Sequence, residues 1–204
     1  MGSVHTLPAD HNELMTVNIS DIPVIKGSSV RPEGLLPFNY SKTRPDYSAF
    51  VHFFVADRQF ERVFKRPLNY IPLLARFQGV IGTDFSIYAD DPLPVCIYNT
   101  WRNRYLDAAF QLCGIEVIPS VSWGADKTFD VCFGCIAPGS SVAVSTNGCE
   151  NPVSRQLFEA GYREMIRRIR PEFIVLYGPR FDFVDGDNVL QFDSYLQDMR
   201  KRLK

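Results

Sequence analysis

Residues 141–177 read SVAVSTNGCENPVSRQLFEAGYREMIRRIRPEFIVLY, and this stretch decides the fold. Ser141 to Ser145 is a short apolar run of the length and type that suits a buried strand. It breaks into a polar cluster, Ser145-Thr146-Asn147-Gly148-Cys149-Glu150, before Asn151-Pro152 opens a helix with a capping residue followed by proline at the first helical position. Val153, Leu157, Gly161, Met165 and Ile169 recur on one predicted helix face, and Arg170-Pro171 stops the helix. Phe173 to Tyr177 is again apolar throughout and ends at Gly178-Pro179. Strands that are apolar on both faces, with a helix between them, predict a parallel sheet.

The same pattern extends toward the N-terminus. Phe50 to Val55 predicts a strand, and Gln59 to Lys65 and Tyr70 to Phe77 short helices. Gly79 to Gly82 predicts a second strand, followed by a long helix from Pro92 or Pro94 to Cys113. That helix would set Trp101, Tyr105, Ala108 and Leu112 on one face, with Gly114 as its C-terminal cap. A strand over Ile115 to Ser120 and a short helix over Thr128 to Ile136 follow, and a last amphipathic helix is expected from Val189 to Leu203. The fold class is α/β: a mostly parallel sheet of about five strands alternating with helices, open or half-barrel, with a compact barrel as the alternative. Five strands in 204 residues are too few for an eight-fold barrel. Residues 1–48, broken by Pro8, Pro23, Pro32, Pro37 and Pro45, read as an irregular segment packing on a single domain spanning 49–204. Ile22-Pro23-Val24-Ile25 within it predicts a short strand or a hydrophobic clip.

Composition narrows the function classes. The net charge is -1, so no global field draws the chain to nucleic acid or to an anionic membrane. A local basic patch inside a neutral chain keeps nucleic acid open as a partner. No apolar run approaches a membrane span, no secretory leader is recognisable, and five scattered cysteines suit a reducing compartment; the expectation is a cytoplasmic protein with no membrane partner.

Three apolar runs break abruptly into polar clusters: Val80-Ile81 into Gly82 to Ser86, Ile115 to Val121 into Ser122-Trp123-Gly124, and Val142 to Val144 into Ser145 to Glu150. In a parallel sheet these breaks mark the carboxyl ends of strands, where ligands bind. Asp84, set between an apolar strand and Phe85, is the candidate general base and the candidate ligand for a divalent metal such as Mg²⁺. Asp57 and Glu150 read as turn and cap residues. Arg102 and Arg104 are candidate clamps for a phosphate-containing ligand if they lie in the first turns of their helix, and Arg102 is the expected partner of Asp84. Ser145, Thr146 and Gly148 could cradle an anion. Cys149 could contact the ligand but lacks an evident base, and Trp123 could wall the site or cover the core. Cys132 and Cys135 form a C-x-x-C pair without the second pair that structural zinc requires. Neither a P-loop nor a dinucleotide G-x-G-x-x-G is present. Arg163, Arg167 and Arg170, interleaved with Glu159 and Glu164, read as a solvated face, and Arg200, Lys201, Arg202 and Lys204 as a basic tail.

His52-Phe53-Phe54, Asp84-Phe85-Ser86, Asn99 with Arg102-Asn103-Arg104, Val117-Ile118-Pro119, Trp123, Cys132-Phe133 and Ser145-Thr146 with Gly148-Cys149 together carry a family resemblance. Over roughly residues 20–180 the chain resembles domain-of-unknown-function family 4417 of bacteria, plasmids and phages. Such proteins often carry proline where Thr83 stands here. The resemblance implies the domain extent and a bacterial, plasmid or phage setting, and no mechanism. Two functions are then expected. One is binding or processing of a phosphorylated small molecule, nucleotide or nucleic-acid end at the strand carboxyl ends. The other is a non-catalytic accessory protein that binds a host protein or nucleic acid.

Overall fold

The computed structural model describes residues 21–194 and Gln197. Four strands, β1 (Leu35–Pro37), β2 (Phe50–His52), β3 (Gly79–Ile81) and β4 (Val117–Ile118), form one sheet in chain order. Three more, β5 (Val142–Ser145), β6 (Ile174–Tyr177) and β7 (Val189–Phe192), form a second. Every pairing is parallel. Just past the end of β4, Ser120 bridges Ala143, with the Val121 and Ala143 amides donating across the junction at 2.8 and 2.9 Å. The seven strands thus follow one another in sequence order, and among the described residues no pairing of β1 with β7 closes them into a barrel.

Side-chain alternation explains why both faces are apolar. Val142, Val144, Ile174 and Leu176 point one way, onto α4 (Phe129–Phe133) and α5 (Pro152–Ile169). Val51, Val80 and Val117 likewise pack with Phe60 and Val63 near α1 (Glu61–Lys65), Leu74 of α2 (Ile71–Leu74) and Leu106 and Phe110 of α3 (Leu93–Leu112). The intervening residues, Phe50, Ile81, Ile118, Ala143, Phe173 and Val175, meet one another across the two sheets. Helices therefore coat the outer face, and the curved sheet fills its inner face with its own side chains. Burying each of the larger side chains contributes about 1.5–3 kcal/mol, so the curvature is held by packing rather than by closure.

Several elements differ from the sequence expectation. The segment read as irregular supplies β1, whose three residues pair with Phe50, Val51 and His52. Ile22 and Ile25 act as a clip: both are buried in the α4–α5 core, and Ile25 bridges Ile136. Val189–Phe192 is a strand beside β6 rather than the start of a helix, and most of the rest of that expected helix, with the Arg200 to Lys204 tail, lies outside the described residues. Among the described residues there are accordingly seven strands where about five were expected. The α5 core face is Phe158, Gly161, Tyr162, Met165 and Ile169, while Val153 is 67% exposed and Leu157 sits at the surface. Asn151 caps this helix by accepting from the Ser154 amide at 2.9 Å, as the sequence predicts. Gly114, in the left-handed region at φ 76°, follows the end of α3; the Gly114 and Ile115 amides bond back to Gln111 and Phe110 and close the helix with a Schellman motif.

Candidate functional site

Loops leaving β2, β3, β4 and β5 converge on a cleft of about 530 Å³, within the size range of small-molecule sites. Its walls include Phe54 and Val55 after β2, Asp84 and Ser86 to Ala89 after β3, Val121 to Gly124 after β4, and Ser145 with Asn147 to Cys149 after β5. Leu157 and Phe158 of α5 complete it. The polar breaks singled out in the sequence thus meet at one place, because parallel strands deliver all their carboxyl ends to the same rim.

Among the described residues that line the cleft, Asp84 is the single carboxylate and none is Lys, Arg or His. The residue is half-buried, but its Oδ1 is sealed from solvent without a hydrogen-bond partner. Burial pushes its carboxyl up to about 6; Asp57 adds to the rise, while the hydroxyls of Ser122 and Ser120 and the Arg104 guanidinium oppose it. Folding therefore favours the protonated form. Stability from this group is complete below the ordinary value of 3.8 and is lost as pH rises through about 6. Asp84→Asn should accordingly melt a few degrees above the wild type at pH 8, from about 1–3 kcal/mol of relieved charge burial, and match it at pH 4. Equal melting points at pH 8, read by calorimetry, would contradict this account.

The two arginines lie elsewhere. Because α3 begins at Leu93, Arg102 and Arg104 sit mid-helix, and the argument from a helix N-terminus does not apply to them. Arg102 pairs with Glu61 at 3.0 Å rather than with Asp84, donates to Asn99 Oδ1 at 2.6 Å, and lies 3.6 Å from the Phe85 ring centroid. Arg104 is only 3% exposed; it contacts the Asp107 carboxylate at 3.2 Å and donates to the Ser120 carbonyl. Both stabilise the loops behind the cleft and neither lines it. Asp107 is the residue that sequence reading missed: a fully buried carboxylate whose acidity is weakened by desolvation and partly restored by Arg104. Its helix position carried no signal, since half of the ten buried residues of α3 are polar: Asn99, Thr100, Asn103, Arg104 and Asp107.

Among the remaining candidates, Ser145, Gly148, Cys149 and Trp123 line the cleft, whereas Thr146 turns away and donates to the Pro179 carbonyl at 2.8 Å. The proposed anion cradle is already occupied internally. The Thr146, Asn147 and Cys149 amides donate to Tyr177, Ser145 Oγ and Thr146. Burial and the neighbouring Glu150 push the Cys149 thiol up to about 11, which favours the neutral thiol over the thiolate. His52 supplies no base, since burial pushes its imidazole down to about 3 while Nδ1 accepts from the Phe54 amide. Trp123 packs against Phe158 and Phe133 and donates to the Leu157 carbonyl at 3.3 Å, so it is wall and core at once. Asp57 accepts from the Ser86 amide and hydroxyl, a link between the loops after β2 and β3 rather than the local turn or cap bond expected of it. Among the described residues no three His, Cys, Asp or Glu side chains gather where a metal could be held, and no helix is long and apolar enough to cross a membrane.

Fold and cleft together define a parallel α/β protein with its candidate site at the strand carboxyl ends. The chain belongs to the family described as Domain of unknown function (DUF4417), whose model matches residues 14–193. It is similar to the Gene 1 protein of Mycobacterium phage D29, at 32% identity over 191 residues, covering 90% of this chain and 70% of the relative. The Gene 1 protein of Mycobacterium phage L5 is 32% identical over 188 residues, covering 89% and 82%. No solved structure matches the chain.

Proposed function

We propose that the protein binds a small planar organic molecule, of the nucleoside type, in the carboxyl-end cleft, with Asp84 as the group that exchanges a hydrogen bond or proton with it. The observation that carries this reading is a lone carboxyl with raised proton affinity in a cleft whose other walls are apolar or neutral. A carboxyl that titrates near neutrality serves as donor in one state and acceptor in the other, the property a general acid or base requires. Phe54, Tyr88 and Trp123 supply ring surface along the walls. Recognition runs through the ring and its polar edge, because the arginines expected to clamp a phosphate are committed to Glu61 and Asp107.

Calorimetric titration of the full chain with the common nucleosides and their 5′-monophosphates tests the reading. At least one nucleoside should bind, the added phosphate should leave affinity unchanged or weaken it, and Asp84→Asn should lose about tenfold or more. Binding restricted to the monophosphates, or no binding by any nucleoside, would overturn it.

A further inference from the structure

The positive charges of this chain are unevenly neutralised. Arg102, Arg104, Arg155, Arg163, Arg167 and Arg168 each form an ion pair with a carboxylate. Among the described residues, Lys42, Arg44, Arg62, Arg66 and Arg76 form none, nor do Lys26, Arg31, Arg58, Lys127, Arg170 and Arg180; all are exposed, and the first five together with Arg58 fall between residues 42 and 76.

Of Lys42, Arg44, Arg62, Arg66 and Arg76, four lie over aromatic rings of residues 38–70. Lys42 and Arg62 both lie over the Tyr70 ring, at 5.4 and 6.0 Å from its centroid, and Arg62 also lies over Phe38. Arg44 lies over Tyr40, whose carbonyl accepts its amide and folds the loop tightly. Arg76 lies over Tyr47 at 4.4 Å, and the Tyr47 carbonyl accepts from Gln78. Arg66 is the C-terminal cap of α1. Between residues 38 and 76 there are seven basic and three acidic residues, in a chain whose net charge is -1. Two of the three acids are spent elsewhere: Asp57 on Ser86, and Glu61 on Arg102 and Lys65. Asp46 bonds the amide and hydroxyl of Ser48.

A cation held over a ring keeps its charge and loses part of its rotamer freedom, so an incoming anion costs less ordering at these positions. We propose that this face, formed by residues 38–47 with α1 and α2, binds the phosphate backbone of duplex DNA without reading its sequence. The rings already carry the cations, so the surface offers charge rather than stacking platforms. A duplex with its bases paired inside demands only charge. The face is separate from the cleft and does not depend on its reading.

Fluorescence anisotropy of the full chain with two unrelated labelled duplexes of ~20 base pairs, over roughly 50–200 mM salt, tests it. Both duplexes should bind alike, with a log–log salt slope of about -4 for five neutralised phosphates. Arg62→Ala/Arg66→Ala should flatten that slope by about 2 and weaken binding about 10- to 100-fold, and Lys42→Ala should flatten it by about 1. Arg163→Ala/Arg167→Ala, on the carboxylate-paired face of α5, should leave binding unchanged. Thermal melting of each variant verifies its fold, and Lys42→Ala keeps the test valid if the double variant fails to fold. Four outcomes would each overturn the proposal: no duplex binding at low salt, unchanged binding by folded variants, tighter binding of single strands, or binding to phosphatidylserine vesicles but not to DNA.

Discussion

Asp107→Ala is expected to destabilise the protein by about 3–5 kcal/mol, the usual cost of breaking a buried ion pair by removing one partner. For a chain of this size that lowers the melting temperature by roughly 6–20 °C. The Arg104 guanidinium would be left inside with the Ser120 carbonyl as its remaining partner, and a guanidinium does not shed its charge. Arg104→Met combined with Asp107→Leu should recover most of the loss, since removing both charges also removes both desolvation costs. A urea-unfolding double-mutant cycle reads the coupling directly. Additive single and double effects would show that the pair is not a unit. The cycle also bears on the cleft: Arg104 favours the ionised form of Asp84, so removing it should raise the Asp84 proton affinity further.

Gly161→Ala should be the second most damaging change, although alanine is the better helix former by about 1 kcal/mol. A Cβ at Gly161 would stand 2.0 Å from Trp123 Nε1 and 2.3 Å from its Cδ1. The indole is rigid and already packed on Phe158 and Phe133, so it must be displaced as a body. Overpacking of this kind costs about 1–3 kcal/mol and occasionally more, which outweighs the gain in propensity. The expected result is a net loss of about 2 kcal/mol together with a red-shifted tryptophan emission as the ring moves toward solvent. A variant as stable as the wild type with an unchanged spectrum would mean that α5 shifts as a unit to make room. Because Trp123 lines the cleft, the same substitution should also weaken any cleft ligand.

Both predictions concern residues on which sequence reading had little hold, and the reasons differ. Hydrophobic periodicity finds a helix by its apolar stripe, and α5 has one, so its span and its Asn151 cap were legible. Its inward face was still misassigned by one position, through Val153 and Leu157, because the first turn of α5 borders the open cleft and not the core. In α3 the buried residues are half polar, and Asn103, Arg104 and Asp107 look from sequence like an exposed face. Such residues can be buried only when partners are brought to them in space, as when Asn103 Oδ1 accepts the Phe85 amide at 2.8 Å. The family resemblance holds, with the family model matching residues 14–193, and it carried no information on which of the matched polar residues face the cleft.

The edge strands show the same division. β1 is three residues with a proline at its end, and β7 is four residues with a glutamine inside; neither has enough apolar pattern to be found alone. Each forms because an adjacent strand presents an open row of amides and carbonyls, β2 for one and β6 for the other.

The sequence by itself determined the α/β class, the parallel sense of the sheet and the rim at which polar residues collect. These follow from the local alternation of apolar runs, helices and breaks, which the chain carries in its own order. Only the tertiary structure decided which polar groups remain at the cleft. Asp84 stays because β3 ends there with an oxygen unmatched, while Arg102 and Arg104 are drawn away by Glu61 and Asp107. Competition among charged partners is settled by distance and burial, and neither quantity is written in residue order.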